Sequence, residues 1–263
     1  MIDLHCHVLA GIDDGPRDSE GSLALARAAA AAGIDTLVAT PHVNWRYAND
    51  AGTIARMVDE LNARLAERDV RVGVRAGAEV ALTHAAEMDS GELARLSLGG
   101  GPWLLIEPPT TPIAIGLEGM VAGLQARGHS LVFAHPERCA SFHRDPQLLA
   151  SLVRAGALCS ITAGSLVGHF GGQVRRFSEG LLREGLVHNV TSDAHDHVRR
   201  APGIRAGLER AHVQGELADW LTVGVPAAIL AGDEIPQRPA GAIAGARRRW
   251  LRRPRGLGQP TGG

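Results

Sequence analysis

The sequence contains no lysine, so all 27 of its basic residues are arginines. This absence removes the amine that Schiff-base catalysis requires. It also weighs against the metal-dependent amidohydrolases that use a barrel fold, because those enzymes commonly bridge their metals with a carboxylated lysine. The chemistry of this chain must therefore depend on imidazole, carboxylate and guanidinium groups.

Cysteine is also scarce, with only Cys6, Cys139 and Cys159 in the chain. An odd and sparse set of this kind is typical of a reducing compartment. Phosphatases with a C-x5-R loop need an arginine six positions after the nucleophilic cysteine. Here those positions hold isoleucine, aspartate and serine, so a thiolate mechanism has no support.

The sequence shows neither a secretion signal nor a membrane span. It begins MIDLHCH, without a basic region followed by an apolar one, and no uncharged apolar run reaches the roughly 18 residues that a span requires. The net charge is −1, so no overall field attracts nucleic acid or membrane. We expect a cytoplasmic protein that does not bind nucleic acid; its oligomeric state is left open.

Short β-rich runs alternate with helical patterns, as in a parallel sheet with crossover helices. The predicted strands are 2–7, 35–40, 72–79, 103–107, 130–135, 157–162 and 187–192. The predicted helices are 19–33, 51–68, 116–128, 145–155, 173–184, 204–213 and about 215–222. Seven such units predict an α/β fold, a distorted TIM-like (β/α)7 barrel.

We predict a single domain over residues 1–235 and a separate tail over residues 236–263. The tail is rich in proline, glycine, alanine and arginine and contains the run RRRWLRRPR. A flexible, solvated tail is the expectation. Contact of its arginines with anionic lipid is the alternative.

Histidine, aspartate and glutamate residues collect where the predicted strands end. The nine candidates for metal ligands are His5, His7, Asp14, His42, Glu79, Glu107, His135, Asp193 and His195. Parallel barrels gather their reactive groups at the carboxyl ends of the strands, so we expect these side chains to converge. Imidazole and carboxylate without thiolate suit Mn, Fe or Zn. Nine ligands are too many for one ion and indicate two or three.

Arginines near these candidates could bind phosphate. Arg138 follows His135 by three residues, and Arg199 and Arg200 follow the last predicted strand. A guanidinium can donate two parallel hydrogen bonds to a phosphoryl group. No P-loop and no G-x-G-x-x-G fingerprint in its usual context is present, so a nucleotide cofactor is not indicated.

Six segments, in order, resemble the PHP (polymerase and histidinol phosphatase) superfamily. They are MIDLHCHVLAGIDDGP, GIDTLVATPH, GAEV, LIEPP, FAHPER and TSDAHD. Within that superfamily they are most similar to the bacterial manganese-dependent protein-tyrosine phosphatases of capsule and exopolysaccharide loci, the CpsB/CapC type. The resemblance extends over roughly residues 1–235 and implies a distorted (β/α)7 barrel that holds three metal ions, usually manganese.

Carried over by position, the resemblance implies a role for each candidate. His5, His7 and Asp193 would bind the first ion, and Glu79 would bridge it to the second. Glu107 and His135 would bind the second ion. Asp14, His42 and His195 would bind the third. Arg138 and Arg200 match the phosphate-binding arginines, Arg200 more loosely because RRAPGI replaces an arginine followed by prolines. LAGIDDG and LIEPP also depart from the family pattern and alter the pocket wall, so they affect the choice of substrate more than the metals.

The activity that the resemblance implies is hydrolysis of phosphotyrosine by a metal-activated hydroxide. Arg138 and Arg200 would neutralise the phosphoryl oxygens, and Asp193 or water at the metals would protonate the leaving tyrosine. The expected partner is a phosphotyrosine protein, a membrane-associated tyrosine autokinase of exopolysaccharide synthesis. The alternatives are a phosphoesterase for a small metabolite such as histidinol phosphate and a non-catalytic regulator of the kinase.

Overall fold

The structure, a computed structural model, describes residues 1–109 and 116–240. In these residues the strands are β1 (Ile2–Cys6), β2 (Thr36–Ala39), β3 (His42–Val43), β4 (Gly73–Ala76), β5 (Glu79–Ala81), β6 (Trp103–Glu107), β7 (Ser130–Ala134), β8 (Leu158–Thr162) and β9 (Asn189–Thr191). Every pairing between them is parallel. They form a sheet of order β1-β2-β4 and a sheet of order β3-β5-β6-β7-β8-β9.

Two of the seven strand positions each hold two short strands. The predicted strand 35–40 matches β2, and a further strand, β3, follows after Thr40 and Pro41; proline cannot donate to a strand ladder. The predicted strand 72–79 is split into β4 and β5 around Gly77, where a Cβ atom would lie 2.8 Å from Val38 Cγ1. β2 pairs with β1 and β4 pairs with β2, whereas β3 pairs with β5 and β5 with β6, so the chain has seven strand positions.

The first and last strand positions meet at their carboxyl ends. Cys6 and Ala194 form a parallel bridge. The His7 N–H donates to the Ala194 carbonyl oxygen, and the Asp193 N–H donates to the His5 carbonyl oxygen, both at 2.9 Å. Together with the parallel sheets, these bonds confirm the predicted fold class, a distorted TIM-like (β/α)7 barrel.

Twelve α-helices accompany the strands in the described residues. They are α1 (Ser19–Ala31), α2 (Ala51–Glu67), α3 (Leu82–Ala85), α4 (Ser90–Arg95), α5 (Leu117–Ala126), α6 (Ala140–Arg144), α7 (Pro146–Arg154), α8 (Ala163–Val167), α9 (Gly172–Glu184), α10 (Ile204–Arg210), α11 (Gly215–Asp219) and α12 (Val225–Ala231). A π-helical turn joins the last two. The sequence did not predict α3, α4, α6, α8 and α12, because helices of four to seven residues are too short to show a helical period.

The core is formed by the apolar residues of the strands together with apolar residues of the surrounding helices. In β7, for example, Leu131, Val132, Phe133 and Ala134 are fully buried. The Phe133 ring packs edge-on against Phe142 at 5.9 Å. Each strand thus fixes the position of the polar residue that follows it.

Of the predicted tail, the structure describes residues 236–240. Two of them contact the barrel: the Pro236 carbonyl accepts from Trp220 Nε1 at 2.8 Å, and Arg238 Nη2 donates to the Leu182 carbonyl at 3.0 Å. Residues 241–263, with the arginine-rich run, lie outside the described residues, so the domain boundary and the tail stay predictions. Within the described ranges no helix is both long and apolar enough to cross a bilayer.

Candidate metal centre

The nine candidate ligands come together at the carboxyl ends of the strands. They fall into four groups whose ligand atoms all lie within 4.8 Å of one another: His7, Asp14, His42 and His195; His5, His7 and Asp193; His5, Glu79 and His135; His42, Glu79 and Glu107. Among the described residues, no other histidine, cysteine, aspartate or glutamate belongs to such a group. Their convergence agrees with the sequence analysis, while their roles as ligands remain predictions.

His5 and His7 lie on the same face of β1, because side chains alternate along a strand. Their Nε2 atoms are 3.1 Å apart, close to the separation of two nitrogens that each lie about 2.1 Å from one ion at about a right angle. Cys6 points to the opposite side and is fully buried. Its burial raises the pKa of its thiol well above the usual value, so it behaves as a small apolar group.

Glu79 lies at the centre of the candidate ligands and is buried. Its Oε1 is 2.6 Å from His135 Nε2, and its Oε2 is 3.0 Å from His42 Nδ1 and 3.2 Å from His5 Nε2. Burial alone would raise the pKa of Glu79, but its contacts with His5 and His135 outweigh burial and hold the pKa well below the usual value. A carboxylate with nitrogens on both oxygens is suited to bridge two cations.

Two buried atoms of the centre, Glu79 Oε2 and His42 Nδ1, lie 3.0 Å apart but form no well-aligned hydrogen bond with each other or with any other group. Buried polar atoms without a hydrogen bond are rare in folded proteins. In addition, burial and the negative charge of Glu79 raise the pKa of Glu107 to about 7. Cations would satisfy the free oxygen and nitrogen atoms and remove the repulsion between the two carboxylates. The donor set therefore fits divalent metal ions.

Asp14 reaches into the site from the loop after β1. Its Oδ1 lies 3.3 Å from His195 Nε2 and 3.5 Å from His42 Nε2. The contact with His195 lowers the pKa of Asp14. Because the Asp14 side chain is half exposed, this group forms the solvent side of the centre.

Asp13 is a functional candidate that the sequence analysis missed. Its Oδ2 accepts from His7 Nδ1 at 2.7 Å and from the His42 backbone N–H at 3.1 Å, while its Oδ1 accepts from the Gly15 N–H at 2.9 Å. A carboxylate on one ring nitrogen of a histidine orients the other nitrogen toward a metal. The available signal was the aspartate pair in GIDDG, in which one carboxylate can be a ligand and the other its support.

Asp193 connects the histidines to two arginines. Its Oδ1 is 3.5 Å from Nε2 of both His5 and His7, and its Oδ2 accepts from Arg138 Nη2 at 2.6 Å and from Arg200 Nη2 at 2.7 Å. Burial would raise the pKa of Asp193, but His5 and Arg138 hold it well below the usual value. Of the two arginines after the last strand, the structure pairs Arg200 with this carboxylate.

The turn that carries Arg138 is held by buried contacts. The Glu137 Oε1 atom accepts from the Thr162 N–H at 2.9 Å and from Ser165 Oγ at 2.6 Å. The Arg138 guanidinium carbon lies 4.6 Å from the centre of the Phe170 ring. Burial and the charge of Arg138 lower the pKa of His135 to about 4, so this imidazole stays neutral and can bind a metal.

Two of these residues have unusual backbone conformations. His135 and Asp193 have φ values of 32° and 51°, which non-glycine residues rarely adopt. Such strain concentrates at functional sites, where the surrounding structure maintains it. His135 directly follows β7 and Asp193 lies two residues after the end of β9, and the left-handed conformation is part of how their side chains reach the centre.

The remaining histidines lie outside the four groups. They are His84, His129, His143, His169, His188, His197 and His212. The sequence analysis gave them no site role because they do not directly follow a predicted strand.

The chain resembles known proteins in both sequence and structure. Residues 1–230 match the family model described as Capsular polysaccharide synthesis, CpsB/CapC. The tyrosine-protein phosphatase YwqE of Bacillus subtilis is 41% identical over 197 residues, which are 74% of this chain and 78% of that protein. The tyrosine-protein phosphatase CpsB of Streptococcus agalactiae is 25% identical over 214 residues, 77% of this chain and 86% of that protein.

Solved structures give a consistent result. The chain is similar to a crystal structure reported for YwqE from Bacillus subtilis and CpsB from Streptococcus pneumoniae, described as unique metal-dependent tyrosine phosphatases. The TM-score is 0.81 at 34% identity, with 92% of this chain and 99% of that chain covered. A dihydropyrimidinase from Brevibacillus agri matches with a TM-score of 0.54 at 13% identity, covering 92% of this chain and 73% of that one. The second likeness concerns the fold alone.

Proposed function

The chain belongs to the CpsB/CapC family of capsular polysaccharide synthesis, and on this basis we propose that it is a metal-dependent protein-tyrosine phosphatase. One observation carries the proposal. The Asp193 carboxylate joins a centre of nine metal-competent side chains to two arginines. Cations and guanidinium groups on either side of one small space are what hydrolysis of a phosphate monoester requires.

We assign the ligands as the sequence analysis predicted, with manganese as the ion in the cell and iron or zinc as acceptable substitutes. His5, His7, Asp14, His42, Glu79, Glu107, His135, Asp193 and His195 would hold two to three ions. Metal ions bound there supply Lewis acidity, which lowers the pKa of water and polarises the phosphoryl group. Asp13 holds His7 in the orientation that this requires.

Arg138 and Arg200 bind the phosphoryl oxygens of the substrate. Their Nη2 atoms both donate to Asp193 Oδ2, so they already converge on one oxygen of an anion. A phosphoryl group in the adjoining space can take up the remaining donors of both arginines, which neutralises the charge that grows during transfer. Asp193 or water at the metals would protonate the tyrosyl oxygen, and the low pKa of Asp193 favours water as the donor.

The phosphotyrosine protein that we propose as substrate is a membrane-associated tyrosine autokinase of exopolysaccharide synthesis, reached from the cytoplasm. YwqE and CpsB, similar to this chain, are named tyrosine-protein phosphatases, which supports the choice of phosphotyrosine. A non-catalytic regulator is the weaker alternative, because a vestigial site is expected to lose ligands and none is missing here.

The decisive experiment compares two substrates on metal-stripped protein. A phosphotyrosine peptide and histidinol phosphate are each incubated with the protein alone and with added manganese, iron or zinc. We expect hydrolysis of the peptide that depends on manganese and exceeds that of histidinol phosphate. If only histidinol phosphate is hydrolysed, the proposed substrate is wrong, but the proposed metal-dependent hydrolysis of a phosphate ester stands. No hydrolysis of either substrate with any ion would contradict the enzymatic proposal.

A further inference from the structure

A cleft of about 290 Å³ opens beside Asp193 and Arg200. It lies between the segments that follow β8 and β9 and is called the β8–β9 cleft below. Its apolar wall includes Ala163, Val167, Phe170, Val198 and Ala206. Apolar side chains next to charged groups are typical of sites that bind a ligand with one apolar and one charged part.

The apolar wall of the cleft adjoins the two candidate phosphate-binding arginines, Arg138 and Arg200. Phe170 lines the cleft and also carries the Arg138 guanidinium over its ring, 4.6 Å from the ring centre. Arg200 lines the cleft and donates to Asp193 Oδ2 at 2.7 Å. A phosphoryl group held by both arginines would therefore place the rest of its ester at the mouth of this cleft.

The wall of the cleft is fixed by close backbone packing. A Cβ atom at Gly164 would lie 3.3 Å from Phe170 Cε2, and a Cβ atom at Gly207 would lie 2.8 Å from the Cα of Ala163. Glycine at these two positions lets α8 approach both the Phe170 ring and α10. The cleft is thus formed before any ligand binds, which reduces the ordering cost of binding.

We propose that the β8–β9 cleft receives the aromatic ring of the phosphorylated side chain and selects aryl over alkyl phosphate esters. The inference rests on the proposed phosphatase function and extends it to the leaving group. The cleft lies just below the range of about 300–1,000 Å³ found for drug-sized ligands, so it suits one side chain. A phosphorylated serine has no ring to bury there and loses that contribution.

The test uses ligands that cannot be hydrolysed. Binding of phenylphosphonate and methylphosphonate to manganese-loaded protein is measured by calorimetry. We expect phenylphosphonate to bind at least about tenfold more tightly, from burial of its ring. In Ala206→Phe the new ring fills the cleft, and the preference should shrink to within about twofold while methylphosphonate binds as before. Ala55→Phe, at an exposed position of α2, is the matched control and should keep the preference.

Equal binding of the two phosphonates by the unaltered protein would overturn the inference, and this comparison needs no variant to fold. A preference that survives in Ala206→Phe would overturn it as well. The outcome is separate from that of the proposed function. Loss of phosphotyrosine hydrolysis with the phenyl preference intact would contradict only the enzymatic proposal, whereas hydrolysis without any preference would contradict only the role of the cleft.

Discussion

Strand β7 has a histidine at each end, and the two have different environments. His129 precedes the strand, is partly exposed, and lies 3.0 Å from Ser90 Oγ. His135 follows the strand, is buried, and lies 2.6 Å from Glu79 Oε1. The same residue type thus has a surface environment at the amino end and a place in the metal centre at the carboxyl end. In a parallel barrel, the end of the strand decides what a polar residue can do.

Replacing the two histidines should give the largest difference. His135→Ala removes a predicted ligand and should lower kcat/KM on a phosphotyrosine peptide by at least about 1,000-fold, because metal and phosphoryl charge stabilisation contribute several kcal/mol. His129→Ala is the control and should stay within about threefold. Circular dichroism checks that both variants fold. Similar activities of the two variants would contradict the claim that only the histidine at the carboxyl end of β7 belongs to the metal centre.

The middle of the same strand should affect stability instead of chemistry. Phe133→Ala leaves a cavity beside Phe142 and should lower the free energy of unfolding by about 3–5 kcal/mol. Urea denaturation measures this change, and Phe133→Leu should cost clearly less. The folded fraction of Phe133→Ala should keep near-normal kcat. A stable but inactive Phe133→Ala protein would show that the core and the centre are not separate.

Replacing Asp13 tests a residue that orients a candidate ligand, His7, without being a ligand itself. Asp13→Asn weakens the hydrogen bond that orients His7 and should lower manganese affinity by about 10–100-fold. Titration of activity with manganese measures the change, and excess manganese should restore much of it. Asp18→Asn is the control, since asparagine caps α1 about as well as aspartate. Unchanged manganese affinity in Asp13→Asn would leave Asp13 without a role in the centre.

The smallest expected effect is on stability and comes from His188, a histidine that lies outside the metal centre. Burial lowers the pKa of His188 to about 4, and its Nδ1 accepts from the Cys159 N–H at 3.2 Å. The unfolded chain binds this proton near pH 6.5. Stability is therefore retained above about pH 6.5 and lost as the pH falls toward 4, by about 2 kcal/mol between pH 7 and pH 5.

Urea denaturation at several pH values measures this loss. In His188→Gln the titrating group is absent, so the decrease in stability from pH 7 to pH 5 should be smaller by about 2 kcal/mol. Parallel curves for the two proteins would show that His188 does not couple protonation to folding.

The sequence predicted the parts of the fold that have a clear local pattern. Six of the seven predicted strands, such as 103–107 and 130–135, match the structure within two residues at each end. The extra strand after Pro41 and the division of strand 72–79 at Gly77 were not foreseen, because a bend in a strand depends on which neighbours it pairs with. The resemblance to the CpsB/CapC family rested on short motifs and is confirmed by the match over residues 1–230.

The sequence by itself determined the barrel class and which side chains would gather, since the candidates lie at or soon after the carboxyl ends of the predicted strands, and parallel strands end at one face. Only the tertiary structure decided which of those side chains contact each other and which other residues hold them in place. It placed Asp13 behind His7, paired Arg200 with Asp193, and set Phe170 beneath Arg138. These contacts join residues that are 6 to 32 positions apart and depend on loop paths between strands. Strand periodicity carries no information about such paths, and packing alone fixes them.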